Sequence, residues 1–177
     1  MIIFEQKRLG TVVTVALVLL AIVQVMYYSP ILPDRIASHY NLMLQPDRWA
    51  DKNSMLISNI AVVLIMALLF QSLSWLVYKL PPSTINLPHK TYWLAAERKK
   101  QTLDSIASFL IWLSNVTLLL ITVVFNLIYQ ANISSGKFTH NFWFAIAIYF
   151  LTVTYMIYHL FKRFQKVPPG FSNTNRS

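Results

Sequence analysis

Apolar residues in this chain are not spaced to mark out one helical face; they run on without interruption. Four stretches hold no charged residue at all: Leu9 to Tyr28, Met55 to Tyr78, Ile106 to Tyr129 and Phe142 to Phe161. Each matches the roughly 20 helical residues that cross a bilayer core. A helix on the surface of a soluble bundle carries charge on its outer face every turn or so, and none of these does. Strands are excluded on other grounds. An open sheet edge in hydrocarbon leaves backbone groups unpaired, and a barrel would show alternating segments of about ten residues. The β-branched run Thr11-Val12-Val13-Thr14-Val15 is therefore read as helix. The expectation is an all-α integral membrane protein, a four-transmembrane-helix bundle with spans at 9–28, 55–78, 106–129 and 142–161. The connectors fall at 29–54, 79–105 and 130–141, with ends at 1–8 and 162–177.

The first span begins behind Lys7 and Arg8, as a signal peptide would. It is longer than an ordinary signal core and ends Val25-Met26-Tyr27-Tyr28, without small residues at cleavage spacing. It is read as an uncleaved anchor.

Composition agrees. The chain has 177 residues, 56 % hydrophobic and only 12 % charged, about half the charged share of a soluble domain. With no cysteine, a disulfide scaffold, a thiolate metal site and a cysteine nucleophile are all excluded. The net charge of +9 would suit nucleic acid, but its placement says otherwise. If the N-terminus lies inside, the inner segments hold Lys7, Arg8, Lys79, Lys90, Arg98, Lys99, Lys100, Lys162, Arg163, Lys166 and Arg176. The outer ones hold only Arg35, Arg48, Lys52 and Lys137. Eleven basic residues against four predict N-in/C-in by the positive-inside rule. Topology and anionic headgroups account for the charge, so the lipid bilayer is the expected partner and nucleic acid is not. Tyr27, Tyr28, Trp75, Tyr78, Tyr129, Trp143 and Tyr158 fall at span ends, where amphipathic rings favour the interface.

Within the spans, Gln24, Asn59, Gln71, Asn115 and Asn126 are the amides. Either they line a polar pathway or they bond helix to helix, and the second reading is favoured. No Asp, Glu, Lys or Arg lies at membrane depth, where proton and ion carriers place one. His159, near the inner end of the last span, is expected to snorkel to the headgroups. Inverted repeats of the transporter kind are not detectable.

Two connectors hold the information. The outer one, from Ser29 to Lys52, carries Pro30, Pro33 and Pro46, which break regular structure, and Pro46-Asp47 predicts a turn. Its crowded polar and aromatic residues suggest a structured cap or, alternatively, a recognition or metal-binding surface. The candidate binding residues are His39, Tyr40, Asn41, Asp47, Trp49 and Lys52. In the inner connector, Thr91 predicts an N-cap for a helix from Tyr92 to Asp104 that leads into the third span, with Lys100 and Asp104 paired at i,i+4. Its candidate binding residues are Asn86, Lys90, Tyr92, Trp93, Glu97 and Arg98. They suit an interfacial helix on anionic lipid or a partner site.

Both connectors resemble the domain of unknown function 1648, found in small bacterial membrane proteins and at the start of the Sdp-type immunity proteins. The outer pattern, L-P-x-x-I-x-x-H-[FY]-[NG] followed by P-D-x-W and a lysine, is met by Leu32, Pro33, Ile36, His39, Tyr40, Asn41, Pro46, Asp47, Trp49 and Lys52. The inner one, N-x-P-x-K-x-Y-W-L-A-x-E-R, is met by Asn86, Pro88, Lys90, Tyr92, Trp93, Leu94, Ala95, Glu97 and Arg98. Leu44 and Ala50 stand where glycine is expected, and Ala96 where proline is common. The resemblance implies a bacterial inner-membrane protein. In the Sdp case, a longer protein with additional helices, it implies immunity to a membrane-active toxin, with capture of a repressor at the membrane.

Three functional classes follow. A non-catalytic interaction protein (immunity, signalling or envelope accessory), with a membrane-protein partner or a homodimer, fits two motif-rich connectors on a plain bundle. A lipid or small-molecule transport or binding protein is the alternative. A metal-dependent membrane enzyme would have to draw on His39 and His140 with Asp34, Asp47 and Asp51, yet no H-E-x-x-H or G-x-S-x-G is present. No catalytic residue, metal ligand set or cofactor is assigned.

Overall fold

A computed structural model describes residues 6–134 and 141–168. Its elements in chain order are helix α1 (Lys7–Tyr28), strands β1 (Arg35–Tyr40) and β2 (Pro46–Asp51), helix α2 (Lys52–Leu76), a single 3₁₀ turn (Pro82–Thr84), and helices α3 (Lys90–Trp93), α4 (Ala96–Ile133) and α5 (Asn141–Gln165). The four longer helices are long and apolar enough to cross a membrane. Lys137 and His140, in the connector between the third and fourth spans, and the tail from residue 169 onward with Arg176, lie outside the described residues.

Helix α4 is the hub, packing against α1, α2 and α5, while α1 and α2 also pack on each other. Its 38 residues extend to about 57 Å at the usual helical rise, well beyond a core of about 30 Å. The third span and the helix before it are thus one continuous rod. Midway along the bundle, Ala21, Val63, Ala67 and Leu118 form a buried cluster. Small residues here let the backbones close up, as expected where hydrocarbon surrounds the helices and packing must supply the attraction. The helices also approach closely at Gly10, where a Cβ would sit 2.8 Å from Ile111 Cγ2.

All five span amides bond between helices. Asn115 Nδ2 donates to Gly10 O at 2.9 Å, and its Oδ1 accepts from the Thr14 hydroxyl at 2.7 Å. Gln71 Nε2 reaches Thr14 Oγ1 at 3.4 Å, and Gln24 Nε2 donates to Thr122 O at 3.1 Å. Near the end of α1 that leads into the strands, Asn59 Nδ2 donates to the Tyr129 hydroxyl at 2.8 Å and Asn126 Nδ2 to the Tyr28 hydroxyl at 3.2 Å. The helix-bonding reading therefore holds.

Four expectations need correction. The fold is not wholly helical, because β1 and β2 pair antiparallel in the outer connector. The prolines permit this: Pro30 and Pro33 precede the ladder, and Pro46 is the first residue of β2, where a missing N–H is tolerated. Pro46-Asp47 accordingly opens a strand, and the turn is Asn41–Gln45. There, the Asn41 side chain accepts from the backbone N–H groups of Met43 (2.9 Å) and Gln45 (3.0 Å). Thr91 is not an N-cap. It lies inside α3, whose cap is His89 in the left-handed region (φ 50°), and the chain bends at Leu94–Ala95 before α4 begins at Ala96. The bend is held by the Thr102 hydroxyl, which donates to Trp93 O at 2.7 Å. Finally, Tyr28 and Tyr129 are not interfacial. Both are buried with Leu32, Ile36, Met55 and Leu56, because the hairpin covers that end of the bundle.

Helix bounds also shift, outward except that α2 ends at Leu76, short of Tyr78. Helix α2 starts at Lys52, where Asp51 accepts from Ser54 N at 2.9 Å as N-cap, and α5 continues to Gln165.

Candidate functional site

The hairpin and the α3 region sit at opposite ends of the bundle, so the twelve candidate residues form two sites. At the hairpin end the strand register runs Arg35↔Asp51, Ile36↔Ala50, Ala37↔Trp49, His39↔Arg48 and Tyr40↔Pro46. Two irregularities leave Ser38 and Asp47 without a ladder partner. Bulges of this kind re-aim side chains, and here Asp47 Oδ1 meets His39 Nδ1 at 2.5 Å on the exposed surface. Lys52 anchors the foot of the hairpin. Its backbone N–H donates to Asp34 O at 2.9 Å, and its amine lies 3.4 Å from Leu32 O and 3.4 Å from the Asp34 carboxylate.

The hairpin is fixed to the bundle by Asn132, a residue that motif reasoning missed. Its Oδ1 accepts from Ala37 N at 2.7 Å and its Nδ2 donates to Ala37 O at 3.1 Å. The carboxamide thus pairs with the free edge of β1 as another strand would. Nδ2 also lies 3.4 Å from the Tyr40 hydroxyl. Burial raises the Tyr40 pKa above that of an ordinary phenol, and the bond to Asn132 partly offsets this. The one sequence clue was an amide at the rim of the third span.

On this fixed platform the tip is apolar and open. Leu42 is 85 % exposed and Met43 81 %, and Trp49, midway along β2, is 54 % exposed. Beneath the tip, a cleft of about 380 Å³ runs between His39–Leu44 and Phe142, Trp143 and Ile146 of α5. Among the described residues no three His, Cys, Asp or Glu side chains come together as metal ligands would; His140 lies outside them.

At the other end the six candidates disperse. Asn86 and Glu97 are exposed, Glu97 in the first turn of α4, where a carboxylate complements the helix dipole. Lys90 Nζ donates to Ser83 O at 2.9 Å. The Arg98 guanidinium lies 4.0 Å from the Tyr92 ring centroid and donates to Tyr92 O at 2.9 Å. Trp93 turns away from these residues to α5: its indole N–H donates to Phe164 O at 2.7 Å, and its ring meets Phe164 edge-on at 5.4 Å. Nearby, Asp104 accepts from the Tyr78 hydroxyl at 2.6 Å and from Lys100 at 3.2 Å, so the expected i,i+4 pair is present. The Lys7 amine sits 4.8 Å over the Tyr78 ring, which ties the start of α1 to the end of α2.

These features define a multi-pass membrane protein with a hairpin cap at one end of a four-helix bundle. Residues 16–69 match the family model described as Domain of unknown function (DUF1648), which bears out the resemblance seen in the outer connector. The match runs from Ala16 in α1 through the whole hairpin to Leu69 in α2. No curated protein and no solved structure matches the chain.

Proposed function

We propose that this chain is a non-catalytic interaction protein of the bacterial inner membrane, with both ends in the cytoplasm, serving immunity, signalling or an envelope assembly. The observation that carries the reading is the hairpin. Its backbone is pinned by Asn132 and Lys52, while Leu42, Met43 and Trp49 face outward. Exposed apolar and aromatic side chains on a rigid frame are what a protein partner recognises at low entropic cost.

Photo-crosslinking from position 42 or 49 in intact cells tests it. A discrete protein adduct from position 42, lost on Trp49→Ala while expression persists, supports the reading; adducts with lipid alone overturn it. Because the chain has no cysteine, single cysteines at Ser38 and Asn86 test the orientation. A membrane-impermeant thiol reagent added to whole cells is expected to label the first and spare the second.

A lipid or small-molecule binding protein is the second reading. It draws on a cavity of about 470 Å³ between α4 and α5, lined by Val116, Leu120, Phe144 and Ile148 among others.

A further inference from the structure

The end of α5 opposite the hairpin carries a second recess that neither motif touches, apart from Trp93. Tyr155, Tyr158, His159, Lys162, Arg163 and Lys166, with Trp93 opposite them, surround about 560 Å³. On one helix, positions 155, 159, 162 and 166 follow the three-and-four spacing of a single face. The Tyr155 and His159 rings lie 6.2 Å apart, and the Lys162 amine sits 5.3 Å from the Tyr158 ring centroid. The opposite wall is fixed, since Trp93 is held by the Phe164 carbonyl.

We propose that this recess binds the phosphate-bearing headgroup of an anionic phospholipid. Two lysines, an arginine and an imidazole line it, no acidic residue does, and among the described residues neither Lys162 nor Lys166 forms an ion pair. Cations gathered this closely repel one another unless an anion joins them, and basic pockets of this kind between helices take lipid phosphates. The aromatic walls supply amphipathic surface and two hydroxyl donors. What points to a lipid rather than a soluble phosphate is the surface that leads away from the recess. Phe144, Ile148 and Leu151, on the same face of α5 and nearer the hairpin, are exposed and apolar, so acyl chains can lie along α5 while the headgroup sits among the lysines. Compensation of the α5 dipole by basic residues in its last turn would explain the charges but not the recess or its aromatic walls.

The test is native mass spectrometry of the full chain in mild detergent, with phosphatidylglycerol and phosphatidylcholine of identical acyl chains added at equal concentration. Phosphatidylglycerol is expected to be retained at least about fivefold over phosphatidylcholine, a difference of about 1 kcal/mol. Lys162→Ala/Lys166→Ala is expected to reduce retention to the phosphatidylcholine level, and Lys162→Arg/Lys166→Arg to restore it. Lys79→Ala/Lys99→Ala removes the same charge elsewhere and is expected to leave the preference intact. Equal retention of the two lipids by the native chain overturns the proposal, as does equal loss in both alanine pairs. A third arm adds inorganic phosphate: if it displaces phosphatidylglycerol at the lipid's own concentration, the site is one for soluble phosphate and the lipid assignment falls.

Discussion

Asn132 and Ala37, 95 residues apart in the chain, pair through both polar atoms of the Asn132 carboxamide, which accepts the Ala37 N–H at 2.7 Å and donates to the Ala37 carbonyl at 3.1 Å. Ala37 is fully buried, so neither backbone group has water to fall back on. Nδ2 of the same side chain also reaches Ile128 O at 2.9 Å. Asn132→Ala is expected to lower stability by about 1–3 kcal/mol, the range for stranding buried polar groups, and to raise amide exchange across β1. Asn132→Asp keeps the acceptor and loses the donor, and should fall between the two. Thermal unfolding in detergent with hydrogen exchange checks both; an unchanged exchange rate at Ala37 would show that the pairing does not hold the hairpin.

Leu44 has φ 61°, a left-handed conformation that suits glycine, and glycine is the residue expected there from the motif that the outer connector resembles. The Asn41 turn imposes the angle, because Leu44 N donates to Asn41 O at 2.9 Å. The strain in an L-residue here is about 1–2 kcal/mol, and a β-branched side chain suffers most. Leu44→Gly is therefore expected to be at least as stable as the native chain despite losing a half-buried side chain, and Leu44→Val less stable than both. Unfolding midpoints that rank valine above glycine would show that the cleft contacts of Leu44 outweigh the backbone term.

Legibility in the sequence follows from what each feature depends on. The spans were readable because an apolar medium tolerates no charge along about 20 residues, and each of the four uncharged runs falls on a long helix, the second overrunning the end of α2 at Leu76 by two residues. The amides were assigned correctly because hydrocarbon offers them no other partner. The hairpin was hidden by its prolines: their meaning depends on strand register, and register is a long-range property. The departure at Leu44 was visible, but its consequence needed the turn. Asn132 gave almost no signal, since its partner is a backbone, and backbones carry no sequence mark. Trp93 was noticed for its motif; that it would reach across to α5 depended on the bend at Leu94–Ala95.

Gly10 is a point of close approach between α1 and α4. A methyl group there would lie 2.8 Å from Ile111 Cγ2 and 3.3 Å from Trp112 Nε1. Ile111 is fully buried and β-branched, so its methyl has little freedom to yield. Gly10→Ala is expected to cost about 1–3 kcal/mol by overpacking. Ile111→Ala removes the obstructing methyl, so in the double variant the two effects should be less than additive, with a coupling of at least about 0.5 kcal/mol. Strict additivity of the two unfolding free energies would mean that the helices separate rather than clash.

Asn59 and Tyr129 are both fully buried, and the Asn59 amide donates to the phenol oxygen at 2.8 Å. Among the described residues Asn59 Oδ1 has no partner of its own, so the Tyr129 hydroxyl is the side chain's anchor between α2 and α4. Tyr129→Phe takes it away and leaves the carboxamide wholly unsatisfied. Asn59→Leu removes the polar group instead, which is nearly neutral where an apolar residue of similar shape can fill the space. The double variant Asn59→Leu/Tyr129→Phe is thus expected to be more stable than Tyr129→Phe alone. The coupling between the two sites should be about 0.6 kcal/mol, the average for bonds between membrane helices, and below about 1.7 kcal/mol. Steric trapping or denaturant unfolding of all four proteins in one detergent measures the cycle. A coupling near zero would mean that the Asn59–Tyr129 contact contributes geometry but no net stability. That outcome would leave close packing at positions such as Ala21, Val63, Ala67 and Leu118 as the main force holding α2 on the hub.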